Sequence, residues 1–496
     1  MVFDLLIVGG GVNGCAIARD AAGRGLSVLL LEQKDLAAAT SSASTKLIHG
    51  GLRYLERYEF RLVHEALAER ELLLAAAPHI IHPLQFILPH EGSIRPAWLV
   101  RLGLFLYDHL ARRKRIPGSA TVALAGTPFG APLTADHRLG FSYYDCRVDD
   151  SRLVVLEALD AFARGAQIRI GALLVGARRA GGRWLASVAA ADGKLEDISA
   201  RALINASGPW VSETLEHRLG LRSRKHVRLV KGSHIVTRKL YEGAQAYMLQ
   251  RPDKRIIFAI PFEEDFTLVG TTDIPFPGEP GPVAIDAAET DYLLAATNHF
   301  FKEKIAPGDV AWSYSGLRPL YDDGALEASV VTRDYAFDLD NADGGAPALS
   351  IFGGKITTAR RLAEHALDTL APFFPHMRAA WTAGAVLPGG DIGPGGFDGF
   401  VAELSRAKPF LAPRLVRRLA GAYGTRAWRF LETARSLADL GVDLGCGLTE
   451  AELDYLRAQE WARTAEDVLW RRSKLGLRFD AAQTERLTRA LAQRSA

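Results

Sequence analysis

The sequence predicts an α/β protein: a Rossmann-like dinucleotide-binding domain, a β-rich substrate region and an all-helical C-terminal domain. Three observations predict it. A short apolar run leads directly into Gly9-x-Gly11-x-x-Gly14 and a helical pattern. Strand-like alternation dominates residues 166–204 and 228–274. Beyond a glycine- and proline-rich stretch from Pro388 to Gly399, the pattern is helical to Ala496, without strand signals, which sets a helical domain at 400–496.

Taken in order, Leu5–Val8 reads as a buried parallel strand, Val12–Arg24 as a helix and Ser27–Leu31 as a second buried strand ending at Glu32. This is a βαβ unit with the short turns it requires. The three glycines of its turn differ in what they permit. Gly9 allows the tight turn, Gly11 lets a pyrophosphate approach the backbone, and Gly14 lets the helix pack on the strand. The helix N-terminus offers N–H groups to phosphate. Glu32 stands where an acid accepts hydrogen bonds from ribose hydroxyls. The spacing alone does not separate NAD from FAD. Further helical patterns cover Tyr58–Leu74, Leu153–Arg164, residues 286–303 and Thr357–Leu370, and turns fall at Gly181-Gly182 and Asp192-Gly193.

The chain has 496 residues, 48% hydrophobic and 24% charged, which excludes a disordered chain. A net charge of +3 gives no basic excess for nucleic-acid binding. Three dispersed cysteines, Cys15, Cys146 and Cys446, form no disulfide framework and fit a reducing cytoplasm. No signal peptide, membrane-spanning run or metal-ligand spacing is evident, so no metal is expected.

Several residues carry chemistry of their own. Thr40, Ser41 and Ser42 are small hydroxyls after Glu32, suited to cofactor contact or to a helix N-cap. In His49-Gly50-Gly51-Leu52-Arg53, paired glycines let backbone approach a flat ring, and Arg53 follows with a fork suited to phosphate. Arg318 and Arg333 are further candidate anion ligands, Arg333 with the rival role of pairing a nearby base through Asp334. Lys355 follows Gly353-Gly354 at a helix start, where a positive charge can stabilise a developing anion, with a loop lysine in water as the rival reading. His234 opens an apolar strand after Gly232-Ser233 and is a candidate general base, with hydrogen-bonded structural histidine as the rival reading. Residues 94–115 carry six basic residues and one acid around Trp98, Leu99, Leu102, Phe105, Leu106 and Leu110. That helix suits either a membrane interface or core packing, as does Ile356–Ala371 with Arg360 and Arg361.

Ala39–Glu56, Lys231–His234, Gly270–Asp273, Ser315–Pro319, Thr332–Asp334, Phe352–Thr358 and Leu469–Lys474 together resemble the hallmarks of the quinone-linked, FAD-dependent glycerol-3-phosphate dehydrogenases. The resemblance spans nearly the whole chain. It implies a discontinuous FAD domain of the glutathione-reductase type (1–75, 140–220, 315–385) and an inserted substrate domain of the amino-acid-oxidase type (76–139, 221–314). It implies FAD contacts from Gly9, Gly11, Asn13, Gly14, Glu32, Thr40, Ser41, Ser42, Lys46, Leu47, His49, Gly50, Gly51, Ser207, Gly208, Gly354, Lys355 and Thr357. Substrate contacts are implied for Arg53, Tyr54, Thr271, Arg318 and Arg333, and catalytic roles for His234, Arg318, Lys355 and Arg53, with the base either His234 or Lys355. Oxidation of sn-glycerol 3-phosphate, electron transfer to membrane quinone, peripheral attachment at the inner face of the cytoplasmic membrane and a homodimer follow as expectations. The rivals are an oxygen-using oxidase for the same substrate, an amine or amino-acid oxidase, which clustered arginines disfavour, and a flavin-binding scaffold without turnover.

Overall fold

A computed structural model describes residues 2–90, 96–251, 255–322 and 334–494, with the side chains of Arg53, Arg57 and Asp343 outside the description. The chain begins with β1 (Val2–Val8), α1 (Val12–Gly23), β2 (Val28–Glu32) and β3 (Leu47–Ile48). It continues through α2 (Phe60–Ala76), β4 (Ile81–Pro89), α3 (Ala97–His109), β5 (Ala120–Ala123), β6 (Leu139–Val148) and α4 (Asp150–Ala163). The meander is β7 (Gln167–Ile170), β8 (Leu173–Ala180), β9 (Arg183–Ala189) and β10 (Leu195–Asn205). Then come β11 (Val227–Arg238), β12 (Ala246–Gln250), β13 (Ile256–Phe262), β14 (Phe266–Gly270), β15 (Ile274–Pro275), α5 (Ala287–Phe300), β16 (Val310–Tyr321), β17 (Tyr335–Asp340), β18 (Ala348–Gly353) and α6 (Ala359–Leu370).

One sheet runs β17-β18-β10-β1-β2-β7, parallel from β18 to β7, with the β8–β9 hairpin joined through β9 to β10. Leu5, Ile7, Val28 and Leu30 are buried against α1 side chains such as Cys15, Ile17 and Ala18, in one core with α4 and α6. Strands buried on both faces read as near-continuous apolar runs, which is why β1 and β2 are plain in the sequence.

The second sheet runs β15-β11-β14-β13-β12-β4-β6-β3, with β16 on β11 and β5 on β6. Leu293, Leu294 and Phe300 of α5 cover one face. Val63 and Leu67 of α2 and Leu104 and Tyr107 of α3 belong to the core on the other side. Strands β3, β6 and β16 all lie in this second sheet, although the resemblance assigns 1–75, 140–220 and 315–385 to the FAD domain. A long strand cannot announce its partner: β16 pairs with β11 along nearly its full length, and sequence periodicity carries no information on that pairing.

The C-terminal part holds its own core, including Phe400, Leu404, Val416, Leu419, Leu453, Leu456 and Leu487. Its helices are α7 (Gly396–Ala407), α8 (Pro413–Tyr423), α9 (Glu450–Glu460) and α10 (Ala481–Gln493). It is not entirely helical, because Asp443–Gly445 and Leu448–Thr449 form a small antiparallel pair. Buried charges fasten this part to the first: Arg152 pairs with Glu460, both fully buried, and Arg472 pairs with Asp35. Helix α6 packs Leu362, Ala363, Ala366 and Leu367 into the core. Its Arg360 is buried and paired with Glu69 and Glu364, while Arg361 is exposed and pairs with Glu364.

Candidate active site

The turn after β1 shows what the glycine triplet does. Gly9 has φ +112°, and a Cβ there would lie 2.5 Å from the Ala206 carbonyl oxygen. A Cβ on Gly14 would lie 2.0 Å from the Gly9 oxygen. Gly11 differs: a Cβ there meets only Ser41 Oγ, at 3.1 Å, and otherwise faces open cavity. Glu32 accepts from the Gly10 and Lys34 N–H groups at 2.7 and 2.8 Å, and burial raises its carboxyl above the usual carboxylate range. Each oxygen keeps a lone pair for a further donor such as a ribose hydroxyl.

A cavity of about 420 Å³ runs along this turn and on between the two sheets. Of the cofactor residues expected from the sequence, Gly9, Gly11, Asn13, Glu32, Thr40, Ser41, Leu47, His49, Ser207, Gly208, Gly354 and Lys355 line it, together with Tyr54 and Arg318. Asn13 Oδ1 is buried with no hydrogen-bond partner, an acceptor ready for a polyol hydroxyl. The orphaned acceptor, the open space over Gly11 and the half-buried acid at the end of β2 fit a dinucleotide with a hydroxylated chain.

Other expected residues stand behind the lining. Gly14 packs against Gly9, and Ser42 Oγ donates to the Ala39 carbonyl at 3.3 Å. Lys46 is buried in an ion pair with Asp150. Thr357 Oγ1 accepts from the His49 N–H at 3.3 Å. The Gly50-Gly51 pair is crowded by protein: a Cβ at Gly50 would lie 2.5 Å from Leu67 and 2.7 Å from the Tyr107 hydroxyl, and one at Gly51 2.2 Å from the Tyr54 ring. Side chains of the same chain thus occupy the space on the Cβ side of both glycines. Arg333 and the Arg53 side chain lie outside the described residues.

Arg318 on β16 is held from two sides. It donates to Asp273 through Nη1 and to Thr271 Oγ1 through Nη2, the latter at 2.8 Å. The next residue of that loop, Thr272, donates through Oγ1 to buried Glu289 at 2.8 Å, as does Ser233 Oγ, and Lys231 Nζ lies 2.7 Å from the same carboxylate. Glu289 therefore anchors the loop that aims Arg318. Thr271 touches the arginine rather than the cavity. Gly232 faces Gly316 across the β11–β16 pair, and a Cβ on Gly232 would lie 2.3 Å from the Arg318 guanidinium. The glycine in Lys231-Gly-Ser-His234 thus seats an arginine of a distant strand. Lys355 also lines the cavity, its Nζ 4.9 Å from the centre of the Tyr54 ring.

His234 does not line the cavity. It is fully buried, stacked on Tyr314 with centroids 4.7 Å apart, and its Nε2 lies 3.0 Å from Thr45 Oγ1, which does line it. A Cβ on Gly270 would lie 2.1 Å from its ring, so the glycine of Gly-Thr-Thr-Asp makes space for the histidine. Burial first, then Arg318 and Lys46, holds the imidazole well below its ordinary pKa and keeps it neutral at pH 7. His49 is likewise lowered by burial, to about 4. Thr45, Asp273, Glu289 and Tyr314 belong to the site although sequence reasoning does not single them out. Thr45 and Asp273 lie inside recognisable motifs, but only tertiary contacts, Thr45 with His234 and Asp273 with Arg318, bring them to the site.

Two glycine variants separate the two halves of the cavity. Gly11→Val fills space that the fold leaves open, so it is expected to yield folded protein without flavin absorbance; a fully yellow variant contradicts the placement. Gly232→Ala displaces the Arg318 fork and is expected to retain flavin while weakening binding of an unreactive phosphomonoester about 10- to 100-fold, the worth of a charge-assisted hydrogen bond. Unchanged affinity in a calorimetric titration would show that Arg318 binds no anion.

Comparison with known proteins agrees with this geometry. A family model described as FAD dependent oxidoreductase matches residues 4–360, and one described as C-terminal domain of alpha-glycerophosphate oxidase matches residues 380–494. A glycerol-3-phosphate dehydrogenase of Pseudomonas aeruginosa is 52% identical, over 98% of this chain and 94% of that protein. A D-erythritol 1-phosphate dehydrogenase of Brucella abortus is 50% identical, over 97% and 96%. The solved structure of the glycerol-3-phosphate dehydrogenase from Bacillus halodurans complexed with FAD superposes with a TM-score of 0.78 at 28% identity, covering 99% of this chain and 90% of that one. The chain belongs to the FAD-dependent oxidoreductases, in the family of the glycerol-3-phosphate dehydrogenases, and FAD is its cofactor.

Proposed function

We propose that the enzyme oxidises the secondary hydroxyl of sn-glycerol 3-phosphate to give dihydroxyacetone phosphate, and that its electrons pass on to a membrane quinone. The observation that carries the substrate class is the Arg318 fork, seated by Gly232 and aimed by Thr271 and Asp273, in a cavity that Lys355 also lines. Two cations of this kind suit a phosphomonoester dianion. FAD, when bound, supplies the acceptor for the hydride that leaves the carbinol carbon. The matching proton goes to the protein. Thr45 Oγ1 receives the substrate hydroxyl proton as it hands its own to His234 Nε2. Burial makes the imidazole a weak base, and Arg318 weakens it further by repelling its charged form. A phosphate on Arg318 offsets that repulsion, so proton acceptance strengthens once substrate is seated.

Anaerobic mixing with glycerol 3-phosphate is expected to bleach the flavin, with D-erythritol 1-phosphate as the comparison that the Brucella relative calls for. His234→Gln is expected to slow bleaching by about 10²–10⁴-fold, the usual worth of a positioned base. No bleaching with glycerol 3-phosphate overturns the reading, and bleaching by the erythritol ester alone reassigns the substrate. An unchanged rate in His234→Gln moves proton acceptance to Lys355.

The quinone route rests on α3. Trp98 and Phe105 are 67% and 50% exposed, and Leu99, Leu102 and Leu106 are exposed beside them, while Leu104 and Tyr107 face the core. Arg101, Arg112, Arg113, Lys114 and Arg115 lie on or just beyond the helix. An apolar face turned to solvent within a basic surround suits the interface of an anionic lipid bilayer. Among the described residues, no helix is long and apolar enough to cross a membrane. The wild type is expected to co-sediment with phosphatidylglycerol vesicles and to reduce a quinone analogue in preference to oxygen. Trp98→Ser with Phe105→Ser is expected to abolish co-sedimentation while leaving bleaching intact. Vesicle binding that survives the double substitution excludes α3, and peroxide formation outpacing quinone reduction favours an oxidase, the activity named in the C-terminal family match.

A further inference from the structure

The Leu469–Lys474 segment is conspicuous in the sequence, yet no residue beyond Ile356 lines the cavity among the described residues. The segment fastens to the cavity wall at three points. Arg471 Nε and Arg472 Nη1 and Nη2 donate to the Asp35 carboxylate at 2.6, 2.8 and 2.8 Å, and Asp35 stands between Glu32 and the cavity-lining Ala37–Ala39. Lys474 Nζ reaches Ser151 Oγ at 2.6 Å and Asp149 at 3.2 Å, on either side of the Asp150 that pairs with Lys46.

The third point is a column of rings. Trp470 stacks on Trp312 with centroids 4.2 Å apart and planes 17° from parallel. Trp312 lies 4.9 Å from Tyr314, which stacks on His234 at 4.7 Å. His234 meets Thr45 in the cavity wall, and the Tyr314 hydroxyl donates to the Ser44 carbonyl at 2.8 Å. Trp312 and Tyr314 alternate with Ser313 on β16 and so project to one face of the strand. Glycine at 476 keeps the column in register, since a Cβ there would lie 2.4 Å from the Trp470 indole.

We propose that Trp470 is a positioning residue: through Trp312 and Tyr314 it fixes the ring of His234, and with it the Thr45 hydroxyl, so that the C-terminal domain sets the geometry of a site it does not line. Close-packed rings transmit a displacement rather than absorb it, and a removed indole leaves Trp312 free to lean away. This rests on the alcohol-oxidation reading above and adds a residue to it.

The test uses full-length holoenzyme with Trp470→Ala and Trp470→Phe, read as flavin reduction per bound flavin and as visible circular dichroism of that flavin. Trp470→Ala is expected to keep FAD and its substrate half-saturation, to reduce about tenfold more slowly or worse, and to change the dichroic band. Small misplacements far from the chemistry cost rates of that order. Trp470→Phe, which keeps a ring on Trp312, is expected to recover most of both. A Trp470→Ala rate within about twofold of wild type, with only the melting temperature lowered, would show a structural role alone and overturn the proposal. If neither polyol phosphate reduces the wild type, the alcohol-oxidation reading fails; the dichroic band then decides, and a band unchanged in Trp470→Ala overturns the proposal. Should Trp470→Ala not fold, Trp470→Leu is read by the same criteria.

Discussion

The buried pair of Lys46 and Asp150 is the constraint on which the cavity depends. Lys46 Nζ lies 2.9 Å from both carboxylate oxygens and donates to the Ser42 carbonyl at 3.0 Å. Asp150 also accepts from Ser44 Oγ at 2.8 Å and from the Ser151 N–H at 2.9 Å. Burial pulls the ammonium below its ordinary pKa, and Asp150 acts against that shift. Two charges out of water are costly, and they persist only where geometry and extra hydrogen bonds compensate for the lost solvation. Here the compensation is near complete, and what it specifies is the path of residues 40–48 from the first sheet into the second. Thr40, Ser41, Thr45 and Leu47 lie on that path and His49 follows it, all in the cavity lining.

The other half of the site is shaped by what is missing from it. Glycines at 232, 270 and 316 clear space for Arg318, His234 and Ala43 in turn. Each lies in a different motif from the residue it accommodates. The second sheet thus carries a reciprocal fit: β11 gives room to an arginine of β16, and β14 gives room to a histidine of β11. Glu289 beneath this sheet and the C-terminal segment beside it supply the buried polar and aromatic contacts that hold the fit. The glycines remove bulk, and the anchors remove the freedom that this would leave.

Local signals make much of this legible from the residues alone. The strand, glycine turn, helix and Glu32 of the first βαβ unit declare themselves through apolar runs and short spacing, and they fold as the sequence implies. Glu289 and Tyr314 are not legible, because only the register of β11 with β16 and the packing of α5 under the sheet bring them in. Its motif alone places Lys46 at the cofactor; the carboxylate it pairs with is 104 residues away, and no local signal points to it. The crowding of Gly50 by Leu67 and Tyr107 and of Gly51 by Tyr54 is not legible either, since Leu67 and Tyr107 come from other elements. For residues 94–115, periodicity gives the helix and its stripe, yet whether a stripe faces core or solvent is decided by its neighbours.

The cavity thus answers to a charge pair that stands behind its lining. The direct measurement is the FAD dissociation constant of Asp150→Asn, taken at a temperature where the apo-protein is folded. Affinity is expected to fall about tenfold or more, because an ammonium left buried without its carboxylate costs several kcal/mol, about 3–5 in comparable sites, and the loop must move to hydrate it. FAD affinity equal to that of the wild type, in a variant as well folded, would contradict the dependence of the cavity on this pair.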